Sequence, residues 1–162
     1  MGAQRHSARV QASILDRLLD DAPDELRESA TGQYDIRALK QSVARDLEAL
    51  LNTRKGDVDA RLAEFPLARR SVIGFGVSDL TSISLLNPDD RARLREELRS
   101  AIIHYEPRLT RVRVELEAPR ETERMLRFRV DAVLSTHPSR PPVTFDATLQ
   151  LSSKVYRVMG QA

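Results

Sequence analysis

The chain has 162 residues, with 26 Lys+Arg against 24 Asp+Glu, so its net charge is only +2 although 31% of its residues are charged. That length makes one domain, which buries roughly 68 to 70% of the surface its unfolded chain exposes and needs no covalent staple. With no cysteine, a disulfide scaffold, thiol catalysis and Cys-ligated zinc are excluded, and with no run near the ~20 apolar residues of a membrane helix and no signal-peptide core, a soluble cytoplasmic protein is expected.

Residues 1–12 are expected to form a flexible leader and residues 13–162 a single domain; the first ten residues are polar and aperiodic. Ile14, Leu15, Leu18 and Leu19 then make one short apolar stripe that stops at Asp20, Asp21 and Pro23. Residues 24–33 have weak periodicity and read as a linker. Over residues 34–54 the pattern is strong: Ile36, Leu39, Val43, Leu47, Leu50 and Leu51 line one face of a long helix, with Arg37, Lys40, Gln41, Arg45 and Glu48 opposite. Asn52 and Gly56 give that helix a place to stop. Residues 56–87 carry many apolar side chains, interrupted by Pro66, Gly74 and Gly76, and predict short helical turns around a buried loop.

Asn87, Pro88, Asp89 and Asp90 form a strong helix start: an Asn N-cap, proline at the first helical position and acids in the positive first turn. Its stripe is Leu94, Leu98, Ala101, Ile102 and Tyr105, and Pro107 ends it. The period then changes to two. Val112, Val114 and Leu116; then Leu126, Phe128, Val130, Ala132 and Leu134; then Val143, Phe145, Ala147, Leu149 and Leu151 alternate with polar residues as three half-buried strands. Short connections suit antiparallel neighbours, and residues 155–159 add a fourth. The expected fold is α+β, with N-terminal helices packed on one face of a three- to four-stranded antiparallel sheet.

Little in this pattern carries chemistry. Gly74 and Gly76 supply only a G-x-G, short of any nucleotide-binding fingerprint, and read as a tight buried turn. His6, His104 and His137 lack the i, i+4 pairing of zinc sites. Carboxylate-pair hydrolysis needs one acid in an apolar pocket, and the candidates singled out for it are Glu64, beside Phe65, and Glu106, beside Tyr105. No catalytic residue, metal ligand or cofactor is assigned. Of the basic residues, 23 are Arg and three are Lys, which accounts for a pI near 9.3. These arginines alternate with acids, as in Asp90-Arg-Ala-Arg-Leu-Arg-Glu-Glu97 and Arg111-Val-Arg-Val-Glu-Leu-Glu117, so no phosphate track is formed and no nucleic-acid partner is expected. Glu106-Pro107-Arg108 has a local logic of its own: proline forces a corner between helix and strand, with opposite charges on either side. As a surface ion pair it is worth ~0 to 1 kcal/mol; as a rigidly presented pair it is a docking point, because Arg binds carboxylates bidentately.

Three stretches together carry a resemblance: Arg45-Asp-Leu-Glu-Ala-Leu-Leu-Asn-Thr-Arg54 at a helix end, Ser71-Val-Ile-Gly-Phe-Gly-Val-Ser-Asp-Leu80 in the glycine loop and Ile102-Ile-His-Tyr-Glu-Pro-Arg108 before the strands. With the opening Ser13-Ile-Leu-Asp-Arg-Leu18, their order and spacing are similar to the TssE family of type VI secretion baseplate subunits, within the contractile-phage baseplate wedge family. The resemblance spans nearly the whole chain. It implies a small α+β domain in a cytoplasmic baseplate docked at the inner membrane, held with the wedge subunits TssF, TssG and TssK and contacting the first layer of the contractile sheath. It also implies that Glu106, Pro107 and Arg108 form the partner-binding motif for wedge assembly, and that Arg45, Asn52, Thr53, Arg54 and Gly76 belong to a structural motif. The family is often labelled lysozyme-like, but no carboxylate pair here supports catalysis. Gly74 and Ser78 depart from the Asn and Pro expected in the glycine loop.

Overall fold

The computed structural model of the chain describes residues 14–18, 36–56, 62, 64–79, 83–118, 125–135 and 140–161. The expected leader and the linker at 24–33 lie outside the described residues. Helix α1 is Ile14–Leu18. Its apolar stripe is exposed, Ile14 at 78% and Leu18 at 76%, so it adds nothing to the core.

Helix α2, Ile36–Asn52, forms where the apolar spacing requires it, and buries Leu39, Val43, Leu47, Leu50 and Leu51 together with Ser42 and Ala44. A short helix α3, Pro66–Arg69, and a 3-10 turn, Val72–Gly74, follow. Helix α4, Pro88–Tyr105, starts as its sequence dictates: the Asn87 side-chain oxygen accepts the Asp89 N–H at 2.9 Å, which satisfies one of the free donors of the first turn. It buries Leu94, Leu98, Ala101 and Ile102.

Four strands then run as a meander, β1 Leu109–Leu116, β2 Met125–Leu134, β3 Pro142–Gln150 and β4 Val155–Gly160, each antiparallel to the next in the order β1-β2-β3-β4. The fold is α+β. Alternate residues of β2 and β3 are buried, as period two demands, while β1 breaks the alternation at Thr110 and Arg111, and α2 lies along β4 while α4 lies along β1. The register of β1 and β2 shifts between Thr110 and Arg113, where Arg111 has φ 54°, the mark of a β-bulge.

The other sheet face is polar and of mixed sign. Arg129 donates from Nε to Asp146 at 3.1 Å, and Thr144 donates to Asp131 at 2.7 Å. Hydrogen bonds from Gln161 and Arg129 hold the Asp146 carboxyl below its usual range despite some desolvation. The first of these rungs places a strand arginine beside an acid, as the alternating charge pattern implied.

Two expectations need correction. Leu151 is not a core strand residue: β3 ends at Gln150 and Leu151 opens the turn at 40% exposure. The segment before α4 is also only partly a buried loop. Gly74, Gly76 and Val77 are buried, but Phe65, Leu67, Val72, Ile73 and Leu86 face solvent, because elements of three or four residues are too short to fold one apolar side inward.

Candidate functional site

The corner predicted at Pro107 is present. Helix α4 stops at Tyr105, the Glu106 N–H still reaches the Ile102 carbonyl at 2.9 Å, and the Leu109 N–H closes the turn on the Glu106 carbonyl at 3.0 Å. The two charges do not point outward. Glu106 is 4% exposed, and Arg108 folds back on it, donating from its backbone N–H and from Nε to Oε1 at 3.2 and 2.7 Å and from Nη2 to Oε2. Its remaining donors cross to α2: Nη1 reaches Ser42 Oγ at 3.0 Å, and Nη2 also reaches Asp46. Asp46 takes a second cation, Arg45, at 3.1 Å.

Ser42 and Glu106 are the buried polar residues of the described core, and one guanidinium satisfies both. Burial opposes the charge on Arg108, but hydrogen bonds and attraction from Glu106, then Asp46, outweigh it and hold the guanidinium above its usual range. The arrangement is a brace between α2 and the α4–β1 corner. Ser42 and Asp46 escaped the sequence reading; the available signal was two polar residues four apart along the inner edge of the α2 stripe.

The structural motif at the end of α2 works in the same way. The Asn52 side-chain amide donates to the Tyr156 carbonyl and accepts the Tyr156 N–H, both at 2.9 Å, so it pairs with the outer edge of β4 as another strand would. Glu48 accepts the Val158 N–H at 2.9 Å and Arg54 donates to the Lys154 carbonyl at 2.9 Å, extending that cover. Thr53 caps the helix by donating to the Ala49 carbonyl at 2.8 Å.

These motifs meet the glycine loop. Arg54 and Val77 form a parallel bridge, with the Val77 N–H on the Thr53 carbonyl at 3.0 Å and the Lys55 N–H on the Val77 carbonyl at 2.9 Å. Gly76 sits at φ +113°, and a Cβ there would run into the Thr53 carbonyl. A Cβ on Gly74 would meet the Arg69 carbonyl and the Tyr105 hydroxyl. Tyr105 itself donates to the Ser71 carbonyl at 3.2 Å and packs edge-on against Phe75 with centroids 5.1 Å apart. The departure at position 74 therefore has a cause here: the loop closes onto the α4 end more tightly than an Asn side chain permits.

Of the two carboxylates singled out for hydrolysis, Glu64 is exposed and Glu106 is bound by Arg108. Among the described residues no group of three or more His, Asp or Glu is placed to hold a metal ion, and no helix is long and apolar enough to cross a membrane.

Residues 37–139 match the model of a family described as baseplate wedge protein gp25. That span contains α4, all of α2 but its first residue, the glycine loop and the corner. Comparison with curated proteins returns no match. A solved structure from Geobacter sulfurreducens, provisionally named a tail lysozyme, is similar at 20% identity with a TM-score of 0.43, covering 67% of this chain and 88% of that one. A likeness at that level carries no functional argument.

Proposed function

This chain belongs to the baseplate wedge protein gp25 family and so is a baseplate component of the contractile type, and from that premise we propose that it serves a type VI secretion machine, joining the wedge subunits TssF, TssG and TssK to the first sheath layer from the cytoplasmic side of the inner membrane. The observation that supports this reading is that the described residues of three motifs far apart in sequence, at 45–54, 71–80 and 102–108, converge around the ends of α2 and α4 in one bonded unit. In this reading Glu106, Pro107 and Arg108 serve wedge assembly by fixing the shape of the corner, since their charges are spent inside the chain.

The sheath contact is assigned to β1. Unpaired strand edges accept strands from partners, and the two edges of this sheet differ. At β4 the outward groups of Tyr156 and Val158 bond to Asn52 and Glu48. At β1 the Glu117 N–H points to β2, so the ladder's alternation turns Val114 and Leu116 outward. Arg99 and Arg91 reach the carbonyls of Val112 and Glu117 at 3.3 and 3.0 Å and leave the outward N–H row to a partner.

Affinity purification of the tagged chain from its native cell tests the reading, with wedge and sheath subunits of a secretion machine as the expected company. Recovery of phage tail proteins instead would move it to a phage baseplate, and recovery of neither would overturn the adaptor role. The hydrolase reading implied by the lysozyme-like label predicts turbidity loss from purified cell wall, and a catalytic trace there at high protein concentration would revive it.

A further inference from the structure

Arg91, Arg95 and Arg99 recur every fourth residue along α4, which sets their side chains on one face of the helix, the face turned to β1. The outer two are engaged with that strand. Arg91 Nη2 donates to the Leu116 and Glu117 carbonyls at 3.5 and 3.0 Å, and Arg99 donates from Nε to the Val112 carbonyl at 3.3 Å and from Nη1 to Glu96 at 2.9 Å. Arg95 stands between them, exposed, and forms no hydrogen bond or ion pair among the described residues. It borders a groove of about 430 Å3 together with Arg99, Arg113, Val114, Glu115 and Leu116. Arg113 and Glu115 lie on the solvent face of the sheet and pair with each other at 2.9 Å, so the groove runs from α4 round the outward edge of β1. Since Arg99 and Arg113 have acids of their own, the open guanidinium on this wall is that of Arg95.

Val114 is the rung of β1 that shares this wall with Arg95. Its N–H and carbonyl point away from β2, while its side chain, 3% exposed, lies on the helix side of the sheet. Residues directly opposite each other in a ladder project to the same face. The residue of an incoming strand that pairs with Val114 therefore projects to the α4 side, beside Arg95, and its neighbours in sequence project to the solvent face.

We propose that Arg95 selects the strand that β1 accepts, which is an extended partner segment carrying Glu or Asp at the residue opposite Val114, with its carboxylate held by the Arg95 fork. The proposal rests on β1 being the docking edge, as assigned above, and adds what that edge reads. Main-chain bonds to Val114 and Leu116 supply affinity without regard to sequence, and the side chain beside Arg95 supplies the choice. A carboxylate there meets the guanidinium bidentately, whereas Lys or Arg would set a like charge against it.

The test uses the isolated protein and three acetylated, amidated heptapeptides, Thr-Val-Thr-X-Thr-Val-Thr, with Glu, Gln or Lys at X. Isotope-labelled chain is titrated with each to millimolar peptide. Amide shifts are expected at Val114 and Leu116, with the Glu peptide binding at least about tenfold tighter than the Lys peptide and the Gln peptide in between. Arg95→Gln should remove that ranking and Arg95→Glu should invert it, while Arg93→Gln, a change at an exposed arginine on another face of α4, should leave it intact. Arg95 is exposed and unbonded, so melting curves of its variants should match the parent. Shifts at Val114 and Leu116 with equal affinity for the three peptides, or a ranking unchanged in Arg95→Glu, would overturn the role of Arg95 and leave the edge assignment standing. Absence of shifts along β1 with every peptide would overturn the edge assignment and the proposal together.

Discussion

Arg108 donates five hydrogen bonds, to Glu106, Ser42 and Asp46. Removing such a partner is costly less for the bonds lost than for the acid left behind, because Glu106, 4% exposed, would lose the donors that satisfy it. Arg108→Ala is therefore expected to lower stability by about 3 kcal/mol, the low end for a buried pair, given that the arginine is 25% exposed. Adding Glu106→Gln should return part of that loss, since the stranded acid is gone; urea midpoints of the two single variants and the double variant measure it. An unchanged midpoint for Arg108→Ala would restore the alternative of an outward docking pair. Gly76 is a second position where one atom decides. Its φ of +113° and the Thr53 carbonyl beneath it leave no place for Cβ, so Gly76→Ala should cost about 2 to 3 kcal/mol, read as a lower melting temperature. The charges at 106 and 108 and the glycines at 74 and 76 were legible as marked residues. Their partners, Ser42, Asp46, Thr53 and Arg69, were not, because each lies many residues away and becomes a neighbour only after the chain has turned back.

Helices and strands followed their periodicity closely, since the side on which apolar residues recur dictates which side is buried. What periodicity does not convey is how an edge is finished. The end of α2 closes the outer edge of β4 through Asn52, whose amide supplies both a donor and an acceptor to Tyr156. Asn52→Ala removes both bonds and should cost about 1 to 2 kcal/mol. Its effect should appear in hydrogen exchange as faster opening of β4 ahead of the rest of the sheet, because the freed N–H of Tyr156 regains water; uniform protection across β3 and β4 would contradict that local role. The segment between α2 and α4 was the least legible. Its apolar residues, read as a buried loop, divide between a buried turn at Gly74–Val77 and exposed side chains at Phe65, Leu67, Val72 and Ile73. No repeating period exists there to say which would turn inward.

At the scale of the whole molecule, α2 and α4 cover one face of the sheet and a mixed-charge ladder occupies the other, leaving β1 as the edge with outward N–H groups. Leu116→Pro removes one of these donors without breaking a bond to β2, because the ladder at that position faces the other way. It should block sheath assembly on the isolated baseplate while leaving the melting temperature within a few degrees; sheath growth at the normal rate would exclude β1 as the contact. The sequence by itself determined the α+β architecture, the order of its elements, the helix start at Asn87 and the motifs that carry the family, because these depend on local propensity and on periods of two and 3.6 residues. Tertiary structure alone decided that the Glu106–Arg108 pair is an inward brace and that Asn52 closes β4. Those outcomes depend on which side chains meet across long loops, and satisfaction of buried polar groups is a property of the assembled core that no local stretch of sequence contains.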